Sequence, residues 1–75
     1  SVERALGLWR TIEKRSPAAT PRWFRAKYSV ALLHYRLGNP EQARKIIALV
    51  QLLHPEMGGT KQKADFLALL KQCGG

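Results

Sequence analysis

Apolar residues recur along this chain at steps of three and four, a spacing that predicts amphipathic helices. They fall into four runs, and the breaks between the runs hold proline or glycine. No stretch alternates between apolar and polar residues as a half-buried strand would. The runs are Val2, Ala5, Leu6, Trp9 and Ile12; Phe24, Tyr28, Ala31, Leu32 and Tyr35; Ala43, Ile46, Ile47, Val50 and Leu53; and Phe66, Leu69, Leu70 and Cys73. The pattern predicts an all-α chain of four helices.

The boundaries of the first two helices have recognisable signals. Pro17 ends the first helix, because proline cannot continue the hydrogen-bonded backbone. Thr20 offers a capping hydroxyl directly before Pro21, which suits the first turn of a helix. Gly38 ends the second helix, since glycine readily takes the left-handed conformation found past helix ends.

The third and fourth helices have similar signals. Asn39 is placed to cap the third helix and Pro40 to open it, with Gln42 where the partner of a capping box would stand. Pro55 marks the end of that helix. Thr60, after a glycine-rich loop, is expected to cap the fourth helix.

The first and third runs repeat one another at a constant offset. Residue 43 follows residue 5 by 38 positions, and the other matched pairs have the same separation. In each run a small residue is followed by a bulky one four positions later, an apolar one three after that, and a proline five further on. The pairs are Ala5 and Ala43, Trp9 and Ile47, Ile12 and Val50, and Pro17 and Pro55.

This order of residues resembles the second helix of the tetratricopeptide repeat, a unit of two antiparallel helices and about 34 residues. Ala31 stands where the first helix of that unit has its small crossing residue. Small side chains at Ala31 and Ala43 would let the two helices approach closely. The offset exceeds the family unit by about four residues, and residues 18–21 are the natural place for the surplus.

The second helix departs from the family pattern at two positions. Lys27 stands where the family has a bulky residue, and His34 stands where it has a tyrosine. Tyr28 and Tyr35 each lie one position later and are expected to supply part of that packing.

The resemblance implies antiparallel helical hairpins stacked as a short right-handed α-solenoid. On this interpretation residues 1–75 form one domain. Residues 1–17 hold the second helix of a partial repeat, residues 21–57 a complete repeat and residues 60–72 a capping helix with a polar outer side. We therefore expect the chain to be the C-terminal end of a longer repeat protein.

The resemblance also implies a binding surface, since the first helices of these units line a concave groove for peptides or partner helices. An acidic and apolar peptide or protein is the expected ligand. Leu32 replaces an asparagine of the family's carboxylate clamp, so that clamp is expected to be absent. The alternative is that the tyrosines belong to the hairpin core and the arginines to a solvated face. The implied groove residues are Arg25, Tyr28, Ser29, Leu32, Tyr35 and Arg36.

The charge of the chain keeps other functions open. Thirteen Lys and Arg against five Asp and Glu give a net charge of +8, which favours anionic partners. Nucleic-acid binding is the second hypothesis, but the cations occur on all four predicted helices and no recognition motif is present. A third hypothesis is purely structural, with the chain acting as the end cap of a larger repeat protein.

Catalytic and metal-site patterns are not found in the sequence. His34 and His54 lie in different helices, the carboxylates are scattered, and Cys73 is the single cysteine. We therefore expect no enzyme activity, no metal and no cofactor. The longest apolar run, residues 46–53, is far shorter than the roughly 20 residues that span a bilayer, and the N-terminus does not resemble a signal.

The first helix lacks a predicted partner on one side. Val2, Leu6, Leu8 and Trp9 should therefore leave apolar surface exposed. The sequence predicts self-association through residues 2–12, or marginal stability of the chain by itself.

Overall fold

Four helices joined by short turns make up the computed structural model, which describes residues 1–74. Gly75, the last residue of the predicted domain 1–75, lies outside the described residues. No strand occurs among residues 1–74, so the predicted all-α class with four helices is confirmed. The helices are α1 (Val2–Arg15), α2 (Pro21–Arg36), α3 (Pro40–Leu53) and α4 (Thr60–Gln72).

The turns around α2 follow the predicted signals. The Thr20 hydroxyl oxygen accepts a hydrogen bond from the backbone N–H of Trp23 at 3.3 Å, capping α2. At the other end Gly38 has a φ of +83°. Its N–H donates to the carbonyl of Tyr35, and the N–H of Asn39 donates to the carbonyl of His34. These two bonds form a Schellman motif, which satisfies carbonyls that α2 leaves unpaired.

The starts of α3 and α4 differ in detail from the sequence prediction. Asn39 is the N-cap residue of α3, but its side chain makes no capping hydrogen bond. Gly59 caps α4 instead of Thr60, which is the first helical residue. The cause is the backbone of the preceding turn, where Gly58 and Gly59 have φ values of +90° and +108°. Glycine adopts such angles without strain, so the helix begins directly after this pair.

The turn before α4 is held by packing. Met57 is fully buried although it lies between helices. A Cβ atom on Gly58 would come within 2.9 Å of the Phe24 ring. The sequence prediction treated this segment as a loop, and the burial of Met57 shows that it belongs to the core.

The core lies where α2, α3 and α4 meet, and α2 is the helix that contacts all three others. Ala31 and Ala43 are both fully buried in it. The rings of Tyr28 and Phe66 stack edge to face across α2 and α4, with centroids 5.6 Å apart. The buried residues of this cluster are Phe24, Ala31, Ala43, Ile47, Val50, Met57, Phe66, Leu69 and Cys73.

One residue of the predicted buried stripe of α3 is misplaced. Leu53 is 61% exposed, whereas Ala43, Ile47 and Val50 are buried. Leu53 lies on the side of α3 that also carries exposed Leu49 and not on the side of buried Ile47, although the next residue, His54, still contacts α2.

A second face of α2 packs against α1. Ala26, Val30 and Leu33 are buried at steps of four and three. Lys27 and His34 flank them and reach polar partners on α1. Among the described helices α1 contacts α2 alone, and none of its own residues is buried. Of the four α1 residues expected to leave apolar surface exposed, Leu8 is exposed, whereas Val2, Leu6 and Trp9 are half-buried.

Candidate functional site

A trough of about 570 Å³ opens between α1, α2 and the start of α4. Phe24 forms part of its floor, where the Gly58–Gly59 turn passes close to the ring. Its walls carry an aromatic ring from α1, side chains from the N-terminal part of α2 and polar groups from α4. They include Trp9, Arg25, Tyr28, Ser29, Thr60 and Lys61.

Three of the six predicted groove residues line this trough. Arg25 is exposed, while Tyr28 and Ser29 are half-buried. The exposed part of the Tyr28 ring therefore faces the trough while its edge-to-face contact with Phe66 holds it in place. An anchored aromatic ring offers contact area to a ligand at little entropic cost.

The other three predicted residues lie outside the trough walls. Leu32 and Tyr35 are half-buried and pack against the core cluster. Arg36 is exposed in the last turn of α2. The structure thus divides the predicted set along α2: Arg25, Tyr28 and Ser29 line the trough, whereas Leu32 and Tyr35 pack against the core cluster and Arg36 is exposed.

The charges in the trough are mainly positive. Arg25 and Lys61 contribute cations, and Asp65 contributes a carboxylate that lies 3.7 Å from the Lys61 ammonium group. The first turn of α4 also borders the trough, and no side chain caps it. Because free N–H groups at a helix start carry partial positive charge, this end adds to the field of the cations.

A second concavity, which we call the α3 groove, lies between α3, α2 and the turn after α1. It encloses about 390 Å³. Trp23, Phe24 and His54 form an aromatic cluster at one end, with ring centroids 5.1 to 5.5 Å apart. Leu49 and Leu53 are exposed in its wall.

Two titratable groups with shifted pKa values lie away from the trough. His34 is buried, and burial together with the neighbouring Arg10 cation lowers its pKa. The Arg10 guanidinium lies 3.2 Å from His34 Nε2, so neutral His34 accepts there and carries its proton on Nδ1, which has no partner. Burial raises the pKa of the Cys73 thiol, and the nearby Arg44 opposes this effect.

Trp9 and Lys61 are among the wall residues of the trough that were not assigned to it from the sequence. Trp9 was predicted as a packing residue of α1, and Lys61 as part of a solvated outer face. Both enter the trough because α1 and the start of α4 lie on the same side of α2. The position of the start of α4 beside α2 depends on the turn before α4, and no local sequence pattern predicts that position.

Further observations concern metals, membranes and known proteins. Within residues 1–74 no three His, Cys, Asp or Glu side chains are grouped so that they could hold a metal ion. None of the helices in this range combines the length and apolar character needed to cross a bilayer. The chain matches no family model, no curated protein and no solved structure.

Proposed function

We propose that the four helices form a short right-handed solenoid of the tetratricopeptide type. Two observations support this. First, α1 and α3 each have 14 residues, and α3 begins and ends 38 positions after α1, the offset of the sequence repeat. Second, α2 contacts the helices before and after it and also α4, as the first helix of a stacked unit would.

We further propose that the chain is a non-catalytic protein-interaction module, and that the trough is its peptide-binding surface. The observation that carries this proposal is the meeting of Arg25 and Tyr28 from α2 with Lys61 from α4 around one concavity. Cations at the edges would orient an acidic peptide, and Trp9 and Tyr28 would cover its apolar side chains.

The ligand class follows from these walls. An extended segment projects successive side chains to opposite sides. One with alternating carboxylates and apolar side chains would therefore place its carboxylates towards Lys61 on the α4 wall and its apolar groups towards Trp9 on the α1 wall. Single-stranded or duplex nucleic acid would require a continuous track of cations, whereas the trough contains two cations and one carboxylate. A peptide is therefore the better fit.

A binding experiment with a defined probe tests the proposal. A fluorescent peptide of alternating Asp and Leu is titrated with the protein, and anisotropy is followed at two salt concentrations. Arg25→Ala combined with Lys61→Ala should weaken binding about tenfold, equivalent to about 1.4 kcal/mol, and flatten its salt dependence. Lys63→Ala combined with Lys71→Ala removes the same charge from outside the trough and should change little. Equal losses of affinity from the two double substitutions would contradict the proposal.

A further inference from the structure

The α3 groove and the trough are separate concavities beside α2. Trp23 and Lys27 line the groove, whereas Arg25, Tyr28 and Ser29 line the trough. No residue that the structure describes lines both, so substitutions can test the two concavities separately.

The groove presents a regular apolar stripe. Ile46, Leu49 and Leu53 follow one another on α3 at steps of three and four, which places them on one helical face. Leu49 is 51% exposed and Leu53 is 61% exposed. The Trp23 ring lies in the facing wall, fixed by its contacts with Phe24 and His54. Such a stripe beside a fixed aromatic ring suits the apolar face of another helix.

The charges around this stripe indicate what kind of helix would fit. The groove walls contain Lys27 and Lys45 and no carboxylate. Lys27 is already paired with Glu13, whereas Lys45 takes part in no salt bridge among the described residues. An exposed lysine beside an apolar stripe favours a partner that carries Asp or Glu next to its own apolar face.

We propose that the α3 groove docks an acidic amphipathic helix of a partner protein. A second copy of this chain fits the groove less well, because Lys45 would then face a chain in which 13 Lys and Arg outnumber 5 Asp and Glu. The groove and the trough would then hold two different segments, so the domain could join two partners. This proposal does not depend on peptide binding in the trough.

A designed peptide tests the groove. The probe is a fluorescent helix of about four turns with Leu at positions i, i+3, i+4 and i+7 and Glu beside them. Leu49→Gln combined with Leu53→Gln should weaken its binding about tenfold or more, and Lys45→Glu should weaken it and reduce its salt dependence. Leu67→Gln, at an exposed leucine on α4, and Lys63→Glu, at an exposed lysine outside both concavities, are the controls and should leave binding unchanged.

Three results would overturn the inference. The first is a Kd weaker than about 1 mM for the acidic helix. The second is equal binding of the same peptide with Lys in place of Glu, since that would remove the role of Lys45. The third is self-association of the protein in sedimentation that the Leu49 and Leu53 substitutions abolish, which would assign the groove to a second copy. Circular dichroism of each variant verifies that the helices remain intact.

Discussion

The ammonium group of Lys27 on α2 lies 2.7 Å from the carboxylate of Glu13 on α1. Lys27 is one of the two positions at which the chain departs from the tetratricopeptide pattern, and His34 is the other. His34 also finds a polar partner on α1, the guanidinium of Arg10. Each departure therefore lies on the face of α2 that contacts α1, and each is matched by a polar residue across the interface.

The Lys27–Glu13 pair should contribute measurably to stability. Its side chains are 21% and 25% exposed, so water screens them less than a surface pair. A double-mutant cycle with Glu13→Gln and Lys27→Met should give a coupling energy of about 1 kcal/mol in urea unfolding. The same cycle on Lys61 and Asp65, which are 93% and 42% exposed, is the control and should give no measurable coupling. Equal coupling energies in the two cycles would contradict the prediction that the Lys27–Glu13 pair stabilises the fold more than the exposed pair does.

Acidification should destabilise the fold through His34. Its pKa is lowered from the ordinary value of 6.5, first by burial and then by Arg10. Below pH 6.5 the unfolded chain binds a proton that the folded chain does not yet bind, so stability falls as the pH drops through this range.

NMR titration of the His34 ring and thermal unfolding at several pH values measure the effect. Arg10→Gln removes one of the two causes, so it should raise the pKa of His34 and weaken the dependence of stability on pH. Arg4→Gln on the exposed side of α1 is the control and should change neither. A pKa of His34 above 6.5 in the folded protein would contradict this account.

The crossing of α2 and α3 should tolerate only small side chains. Ala43 is fully buried in the same cluster as Ala31, so Ala43→Leu should overpack the junction and cost about 1–3 kcal/mol in urea unfolding. Ala48→Leu inserts the same side chain at an exposed position of α3 and should be nearly neutral. If both substitutions have the same effect, the helices do not pack closely at Ala43.

Self-association is expected to occur through α1. None of its residues is buried, and Leu8 is 62% exposed. Sedimentation velocity over a range of concentrations should therefore show reversible association, which Leu8→Gln weakens. Leu52→Gln, at a leucine of α3 that is 76% exposed, is the matched control and should have no effect. A monomer at all concentrations would contradict the prediction.

The elements of this fold are largely predictable from the sequence because its signals are local. Apolar residues spaced by three and four positions indicate helices, and the helix ends are indicated by Pro17, Gly38 and Pro55. The boundaries of α4 coincide with the predicted capping segment, residues 60–72. Ala31 and Ala43 were predicted at a crossing from the repeat pattern, and both are fully buried.

The composition of the site is less predictable, because it depends on contacts between distant segments. Lys61 reaches the trough only because Met57 is buried and Gly58 passes against Phe24. Leu53 has the spacing of a buried residue, yet it is exposed on the same side of α3 as Leu49. Periodicity identifies the apolar face of a helix, but it does not tell how much of that face the neighbouring helices cover.

The most direct test of the central claim maps where an acidic peptide binds. The alternating Asp–Leu peptide is titrated into ¹⁵N-labelled protein, and amide chemical shifts are followed. If the trough is the peptide site, the largest changes should occur around Trp9, Arg25, Tyr28, Ser29 and Lys61, while amides around Lys14 and Lys71 stay nearly unchanged. Changes of similar size beside the cations of all four helices would contradict the claim, since they would mean diffuse attraction to a basic surface.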